Sequence, residues 1–314
     1  MNDRRGRPSR LRQGSGEARR SDEVAKAAGR PNGVRDIDVS VLRETVARLI
    51  VEANYNIPPD ILDALRDAAV REESPIGRRT LEQLVRNYEV AAADRVPVCQ
   101  DSGLAVVMLD VGQDVHWTGG SLRDAVHEGI REGTRAGYLR WSVTGDPTRM
   151  LKTAGGDAPG VIHVDLVPGA DVRITVASKG FGAENMSALR MFVPADGVPA
   201  IADFVVETVD RAGANACPPI IVGVGIGGTF ETAALLAKRA VLRPIDVRHS
   251  RPDLCRLEGE LLARVNDLGI GPQGLGGRVT ALGVNIEVYP THIAGLPVAV
   301  NLGCHSTRRI SASL

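Results

Sequence analysis

The chain has 314 residues, of which 43% are hydrophobic and only 3% aromatic, and its 38 basic and 38 acidic residues give zero net charge. This composition indicates a globular protein with an aliphatic core, in one large domain or two smaller ones. Residues 1–36 carry ten Lys and Arg against five Asp and Glu, so the remainder is acidic, which argues against a nucleic-acid-binding body. No apolar run reaches the length of a membrane span.

Residues 1–36 are predicted to form a disordered basic tail, and residues 37–314 a folded domain. The tail is rich in Arg, Gly, Ser and Pro, so it buries too little apolar surface to offset its ordering entropy. An Arg-rich transit peptide is the competing interpretation, which its acidic residues disfavour. The tail lacks the apolar segment of a secretory signal, and four cysteines are too few for a disulfide scaffold. We therefore expect a cytoplasmic protein with free thiols.

Three helices are predicted at about 38–54, 59–73 and 80–93, where apolar residues recur at helical spacing. Directly after them, Cys99 lies between Pro97 and Gly103 and is followed by Gln100 and Asp101. Proline and glycine favour a tight loop, which would present the thiol. The alternative is that Cys99 is a small buried hydrophobic residue, as free cysteines often are.

A strand is predicted at 104–111 and a helix at 121–135. Residues 161–167 and 172–177 resemble paired strands joined by a Pro-Gly turn. The glycine-rich segment 178–187 then allows either close approach of the backbone to a ligand, with Lys179 adding positive charge, or a flexible turn.

Two polar residues have both a structural and a functional interpretation. Arg140 lies beside Trp141, and it is either a surface arginine stacked on that ring or a clamp for an anion. His292 lies at the entrance of a predicted strand, and it is either a hydrogen-bonded structural histidine or a catalytic group.

A helix is predicted at 201–212, followed by Cys217 in a loop that two prolines stiffen, and then by a strand at 220–224. The run from Gly223 to Gly228 and a helix at 229–242 match a dinucleotide fingerprint, with Asp246 at the expected distance. Residues 246–250 are too polar for the second buried strand of that unit. The fingerprint nevertheless leaves an NAD-dependent oxidoreductase as the alternative function.

A helix at 251–268 carries Cys255 beside its apolar stripe, which favours a structural thiol. The other three cysteines, Cys99, Cys217 and Cys304, lie at Gly/Pro-rich boundaries of predicted elements. Their spacings of 118 and 87 residues lack the short pairs of zinc sites. They suit a [4Fe-4S] cluster with three thiolate ligands, whose fourth iron stays open to bind a substrate as a Lewis acid.

The chain resembles the iron–sulfur class I fumarase and L-tartrate dehydratase family, specifically its alpha subunit or N-terminal domain. The resemblance covers about residues 38–310, with the motifs in the same order. The matching segments are Pro97 to Gly103, Lys179 to Asn185, Asn215 to Pro219, Gly225 to Gly228, Asn266-Asp267 with Gly271-Pro272, and Thr291-His292 through Cys304-His305.

This resemblance implies a mixed α/β fold (α+β) of the class I fumarase alpha-domain type, with an N-terminal helical layer followed by mixed sheets with helices. It implies a hydro-lyase that dehydrates a small 2-hydroxy dicarboxylate, malate or L-tartrate. The site residues that it implies are Cys99, Cys217 and Cys304 as ligands of a [4Fe-4S] cluster, Gln100, Asp101, Arg140 and Gly182 as substrate contacts, and Asp101 and His292 as a catalytic pair. A carboxylate beside an imidazole raises its basicity and fixes its orientation.

The sequence departs from the family at Ser102, at Phe181 and in the segment 152–157, and the last difference bears on substrate identity. The family also has a beta portion that provides the catalytic base and further carboxylate-binding residues. We therefore expect a separate beta subunit as partner, with no nucleic acid and no membrane. A non-enzymatic iron–sulfur or interaction protein is a third possibility.

Overall fold

The computed structural model describes residues 33–149 and 159–314, which form the mixed α/β fold that the sequence predicts. The helices are α1 (Val39–Tyr55), α2 (Pro59–Arg71), α3 (Pro75–Asp94), α4 (Leu122–Ala136), the short α5 (Phe181–Glu184), α6 (Gly197–Ala212), α7 (Phe230–Leu242) and α8 (Pro252–Asn266). The strands are β1 (Arg35–Asp38), β2 (Leu104–Gly112), β3 (Val115–Thr118), β4 (Val161–Val167), β5 (Val172–Lys179), β6 (Ala188–Phe192), β7 (Ile220–Gly227), β8 (Ala281–Tyr289), β9 (Leu296–Gly303) and β10 (Arg308–Ser313).

The three N-terminal helices were predicted from their apolar spacing, and the structure confirms them. Helix α1 begins where the Asp38 carboxylate accepts a hydrogen bond from the Ser40 amide at 2.8 Å. Helix α3 begins at Pro75, five residues before the predicted start, because Ser74 caps it by accepting from the Gly77 amide at 3.2 Å. Helix α1 packs on α4 and on the first large sheet.

The first large sheet has the strand order β10-β5-β2-β4. The predicted hairpin of β4 and β5 is therefore wrong, because β2 lies between these strands, antiparallel to β5 and parallel to β4. The turn at 168–171 instead bridges the end of β2, where the Gly112 amide donates to the Asp171 carbonyl at 2.8 Å. Strand β2 is largely buried, and its position between β4 and β5 gives its backbone groups hydrogen-bonding partners on both sides.

The second large sheet has the order β6-β9-β7-β8, with β7 parallel to β8 and antiparallel to β9. Cys217 precedes β7 and Cys304 follows β9, so the antiparallel pairing brings both cysteines to one edge of this sheet. The same pairing places the loop between β8 and β9, which carries His292, at the opposite edge.

The glycines that suggested a dinucleotide loop lie almost entirely within β7. A Cβ at Gly223 or Gly225 would overlap the backbone of α7, so these glycines allow the helix to pack closely on the strand. Asp246 lies in a turn and belongs to no strand. The structure therefore gives these residues a packing role in place of the phosphate-binding loop required by the oxidoreductase alternative.

A shared apolar core joins the two large sheets to helices α2 and α3. It includes Val106 and Ala177 from the first sheet, Ile221 from the second, and Cys99 at its margin. The buried Glu72 carboxylate anchors the helical layer further, since it accepts backbone hydrogen bonds from Ser74, Arg278 and Val279 at 2.8–3.0 Å.

Two sequence predictions concern segments outside the described residues. One is most of the tail at 1–36, of which the structure describes only the last four residues; Arg35 and Asp36 belong to β1. The other is the segment 152–157, whose sequence bears on substrate identity.

Candidate active site

The three loop cysteines converge where the two large sheets meet. The His305 amide donates to the Cys217 carbonyl at 3.4 Å, which links the loops after β9 and before β7. Burial raises the pKa of the Cys217 thiol, and the nearby thiols of Cys304 and Cys99 raise it further. All three are free and half-buried. The fold thus assembles three thiols from segments that are distant in sequence, whereas Cys255 lies apart from them in α8.

Cys217 has a backbone conformation that its residue type rarely adopts. Its φ of 54° and ψ of 66° are left-handed, and its amide donates to the Ala214 carbonyl at 3.0 Å. Such a conformation is uncommon outside glycine and often marks a functional position. It aims the chain sharply from the turn at Gly213–Ala216 into β7.

The loop of Cys99 is tied to the start of α5 by Asp101. One carboxylate oxygen of Asp101 accepts from the Gly103 amide at 2.8 Å, and the other accepts from the Phe181 amide at 3.0 Å. The Cys99 sulfur accepts from the Asp101 amide at 3.4 Å, and its thiol donates to the Gln100 side chain at 3.4 Å. Asp101 therefore orders the loop that presents Cys99 and Gln100.

Gly182 lies between this loop and Cys217. A Cβ built on Gly182 would be 3.5 Å from the Asn215 carbonyl oxygen, so the first turn of α5 faces the segment that leads into Cys217. The structure thus brings Gly182, Asp101 and the three cysteines to one region.

Arg140 lies at the margin of the same region. Its amide donates to the Ser102 hydroxyl at 2.8 Å, and it lines a cavity of about 20 Å³ with Ser102, Gly103 and Trp141. A cavity of this size holds about one water molecule. Among the described residues the exposed Arg140 guanidinium has no hydrogen-bonding or cation–π partner, Trp141 included, so it is available to an anion.

Lys179, by contrast, does not supply a free positive charge. It is buried, with its ammonium 2.9 Å from the Glu184 carboxylate, which Lys238 also contacts at 2.6 Å. Burial opposes ionisation of Glu184, but the two lysines outweigh it and hold the pKa of Glu184 at about 2. The group is a closed ion-pair network that holds α5 against α7.

Arg308 is a site residue that the sequence analysis missed. It is 1% exposed, and no carboxylate within the described part of the chain forms an ion pair with it. One guanidinium nitrogen donates to Asn54 at 2.8 Å, while Nε is buried without a partner. A Cβ on Gly180 would lie 3.6 Å from its Nη2 and 3.2 Å from the Asp101 carboxylate, so Arg308 and Asp101 flank Gly180.

Tyr88 and His305 form a second missed feature. The Tyr88 hydroxyl contacts Nδ1 of His305 in a short hydrogen bond. Burial raises the pKa of Tyr88, and the thiols of Cys304, Cys99 and Cys217 act in the same direction, which places Tyr88 near all three. Burial, with a smaller contribution from Arg308, lowers the pKa of His305 to about 4. Both side chains are therefore neutral near pH 7.

His292 lies far from these groups. Its loop meets the carboxyl end of β7, where the Thr291 hydroxyl donates to the Gly228 carbonyl at 3.0 Å, whereas Cys217 precedes the other end of that strand. The eight residues of β7 span about 25 Å. His292 is exposed, and its Nδ1 accepts from the Ala294 amide at 3.1 Å. Within one chain, the structure does not bring His292 to Asp101.

Within residues 33–149 and 159–314, no group of three or more His, Cys, Asp or Glu side chains is arranged to hold a single metal ion. Three thiolates that bind different irons of a cube lie farther apart than three ligands of one ion. Cys304 and Cys99 lie near enough to Cys217 to raise its pKa, so the three cysteines suit the larger group. The described helices also include none that is long and apolar enough to cross a bilayer.

Comparison with known proteins identifies the family. The fumarate hydratase (Fumerase) family pattern matches residues 43–313. The chain belongs to the fumarate hydratase family. It is 40% identical to a putative L(+)-tartrate dehydratase subunit alpha from Methanocaldococcus jannaschii, over 85% of this chain and 95% of that protein. It is 34% identical to the L(+)-tartrate dehydratase subunit alpha of Escherichia coli K12, over 86% and 90% of the respective chains. Family membership confirms the prediction of a hydro-lyase.

Proposed function

We propose that this chain is the alpha subunit of a [4Fe-4S]-dependent hydro-lyase that reversibly dehydrates a small 2-hydroxy dicarboxylate, L-tartrate or malate. The observation that carries the proposal is the convergence of three free cysteines, of which Cys304 lines a cavity together with the buried Arg308, a cation without an ion-pair partner among the described residues. A buried guanidinium is costly unless a negative group lies near it. Three thiolates bound to a cluster would provide that negative charge beside Arg308.

In this proposal Cys99, Cys217 and Cys304 hold the cluster, which when bound supplies a Lewis-acidic iron for the substrate hydroxyl group. Arg140 binds a substrate carboxylate through its unpaired guanidinium. Gln100 and the Gly182 backbone orient the substrate beside the cysteines. The ordered loop held by Asp101 fixes these groups in place, which reduces the entropy lost when the reacting groups align.

Asp101 and His292 are proposed as the pair that moves a proton to the departing hydroxyl. The structure adds a condition, since His292 lies across β7 from Asp101. For the pair to form, His292 must come from a second copy of the chain. Its loop is exposed, with Ile293 92% accessible, so it is free to enter a neighbouring site.

The names of the relatives support a partner subunit, because both are described as subunit alpha. We propose that a beta subunit completes the site and supplies the remaining carboxylate-binding groups. A cytoplasmic location is part of the proposal, because reducing compartments keep such thiols free.

Anaerobic reconstitution tests the cluster. The wild-type chain should bind about four irons and turn brown, and Cys99→Ser should lose most of the iron. Cys255→Ser is the matched control, since Cys255 lies in α8 outside the three-cysteine group, and it should keep the iron. Equal iron contents in the two variants would refute the ligand assignment.

Turnover tests the function separately. The reconstituted chain with its beta subunit should dehydrate L-tartrate or interconvert malate and fumarate. Activity on neither substrate, in a complex with a full iron content, would leave a cluster protein without the proposed reaction.

A further inference from the structure

A second cavity lies toward the amino end of β5, whereas Cys304 lies near the carboxyl end of that strand. Its volume is about 310 Å³, and it opens between the first large sheet and the carboxyl end of α7. Met108, Thr175 and Ser311 line it from β2, β5 and β10. We call it the four-arginine cavity, after its lining residues Arg173, Arg239, Arg243 and Arg309.

All the charged side chains that line this cavity are positive. No Asp or Glu side chain is among the described residues that line it. Three of its arginines form ion pairs with carboxylates outside the lining: Asp60 with Arg309 at 2.6 Å, Glu287 at 2.8 Å and Glu258 with Arg243, and Asp165 with Arg239. The guanidinium groups therefore stand nearer to the cavity than the acids that balance them.

Several donors remain for a ligand. Arg173 is exposed and forms no ion pair within the described part of the chain. Arg309 has a side chain only 7% exposed, yet its Nη1 is buried without a hydrogen-bond partner, and so is Nε of Arg243. The hydroxyls of Thr175 and Ser311 lie 2.8 Å apart beside them. Unsatisfied buried donors are costly, and a bound acceptor would remove that cost.

The four-arginine cavity is distinct from the candidate active site. None of Cys99, Cys217 and Cys304 lines it. Arg173 and Ser178 lie five residues apart on β5, a separation of about 17 Å along the strand. A ligand here would contact β5, β10 and α7 together, so it would connect the first sheet to the helix that packs on the second.

We propose that the four-arginine cavity binds a small multivalent oxyanion, a phosphate ester or a polycarboxylate. Planar guanidinium groups bind such oxygens bidentately, and the volume suits a small ligand. This site is additional to the dicarboxylate site of the proposed hydro-lyase and uses none of its residues.

Calorimetric titration of the full chain with pyrophosphate and, separately, citrate tests the proposal at constant ionic strength, because salt screens exposed charges. At least one anion should bind with about one site per chain, and it should raise the melting temperature by several degrees through linkage. The anion that binds more tightly identifies the phosphate or the carboxylate class.

Arg173→Gln is the informative variant, because Arg173 is exposed and unpaired, so its loss should not unfold the protein. It should weaken binding at least about tenfold, the loss expected for one charge-assisted hydrogen bond. Arg211→Gln, an exposed arginine in the last turn of α6, is the matched control and should bind like the wild type.

Binding must also persist in Cys99→Ser, because a polycarboxylate could instead enter the candidate active site. Loss of binding in Cys99→Ser with full binding in Arg173→Gln would overturn the proposal, as would equal affinities in the two arginine variants. If neither anion bound, the proposal would be overturned too. Binding of a polyglutamate peptide alone would not rescue it, because the proposed ligand is a small anion.

Discussion

The position of His292 predicts that the proposed proton-transfer pair forms between two chains. The edge of the second sheet that carries Cys217 and Cys304 is separated from the His292 loop by the length of β7, about 25 Å. A hydrogen bond needs a separation of about 3 Å, so no rotamer of His292 reaches Asp101 of the same chain. Asp101→Asn and His292→Asn should each lower turnover by about 10²-fold or more, as the loss of a general acid–base group does.

Mixing the two variants distinguishes pairing between chains from pairing within a chain. In a dimer with two-fold symmetry, a mixed pair would contain one site with both substitutions and one with neither. A purified mixed dimer should therefore recover about one half of the wild-type activity, and an unfractionated mixture, in which random assembly makes about half of the dimers mixed, about one quarter. Pairing within one chain would leave every site with a defect.

The assay is the initial rate of L-tartrate or malate dehydration by the two variants, differently tagged and co-expressed with the beta subunit. The doubly tagged complex is purified and its iron content matched to that of the wild type. A mixed complex no more active than its parents would refute the reasoning, and so would full activity of His292→Asn alone.

Three further variants test contacts that hold the site in place. Ionised Glu184 stabilises the fold above its unfolded pKa of 4.5, and this stability is lost as the pH falls toward its folded pKa of about 2. Glu184→Gln should therefore make the melting temperature less dependent on pH in that range. An unchanged pH dependence there would contradict this. Glu72→Gln places an amide donor against backbone N–H groups, and urea titration should show unfolding made easier by about 1–3 kcal/mol; an unaltered midpoint would exclude that anchoring role. Gly103→Ala puts a Cβ 2.7 Å from the Lys179 backbone and should lower both stability and iron content, whereas Gly259→Ala, with open space in α8, should be neutral or stabilising in the same melts; similar losses in both would refute the steric argument.

Local patterns in the sequence predicted the helices well. The apolar residues at helical spacing in α1 include Leu42, Val46 and Leu49. All three are fully buried, as a helix packed on a sheet requires. The third helix was missed at its start, because the pattern begins late while Ser74 and Pro75 already initiate the turn. The end of a helix depends on a cap, and the hydrophobic period does not record it.

The sheets were harder to predict, because pairing between distant strands leaves little local trace. Residues 161–177 satisfy the rules for a hairpin, yet β2, fifty residues earlier, occupies the position between the two strands. The glycine run in β7 shows the same limit. Its spacing suits a phosphate loop as well as it suits a helix packed on a strand, and only the approach of α7 decides between them.

The candidate site combines features that the sequence showed with features that it hid. Loop positions and the family resemblance pointed to the three cysteines and Asp101. Arg308 gave no such signal, since a surface arginine on a terminal strand has the same sequence appearance, and its burial arises only when β10 pairs with β5. Tyr88 was likewise hidden, because its neighbour His305 is 217 residues away.

The three cysteines also have a mechanical consequence. Cys99 precedes a strand of the first sheet, whereas Cys217 and Cys304 border the second, so any group bound to all three cross-links two halves of the fold. The free energy of that binding adds to the free energy of folding. Oxidation of the cysteines would then remove this cross-link and destabilise the junction locally. Amide hydrogen exchange at the adjoining ends of β2 and β7 should become faster before any global unfolding.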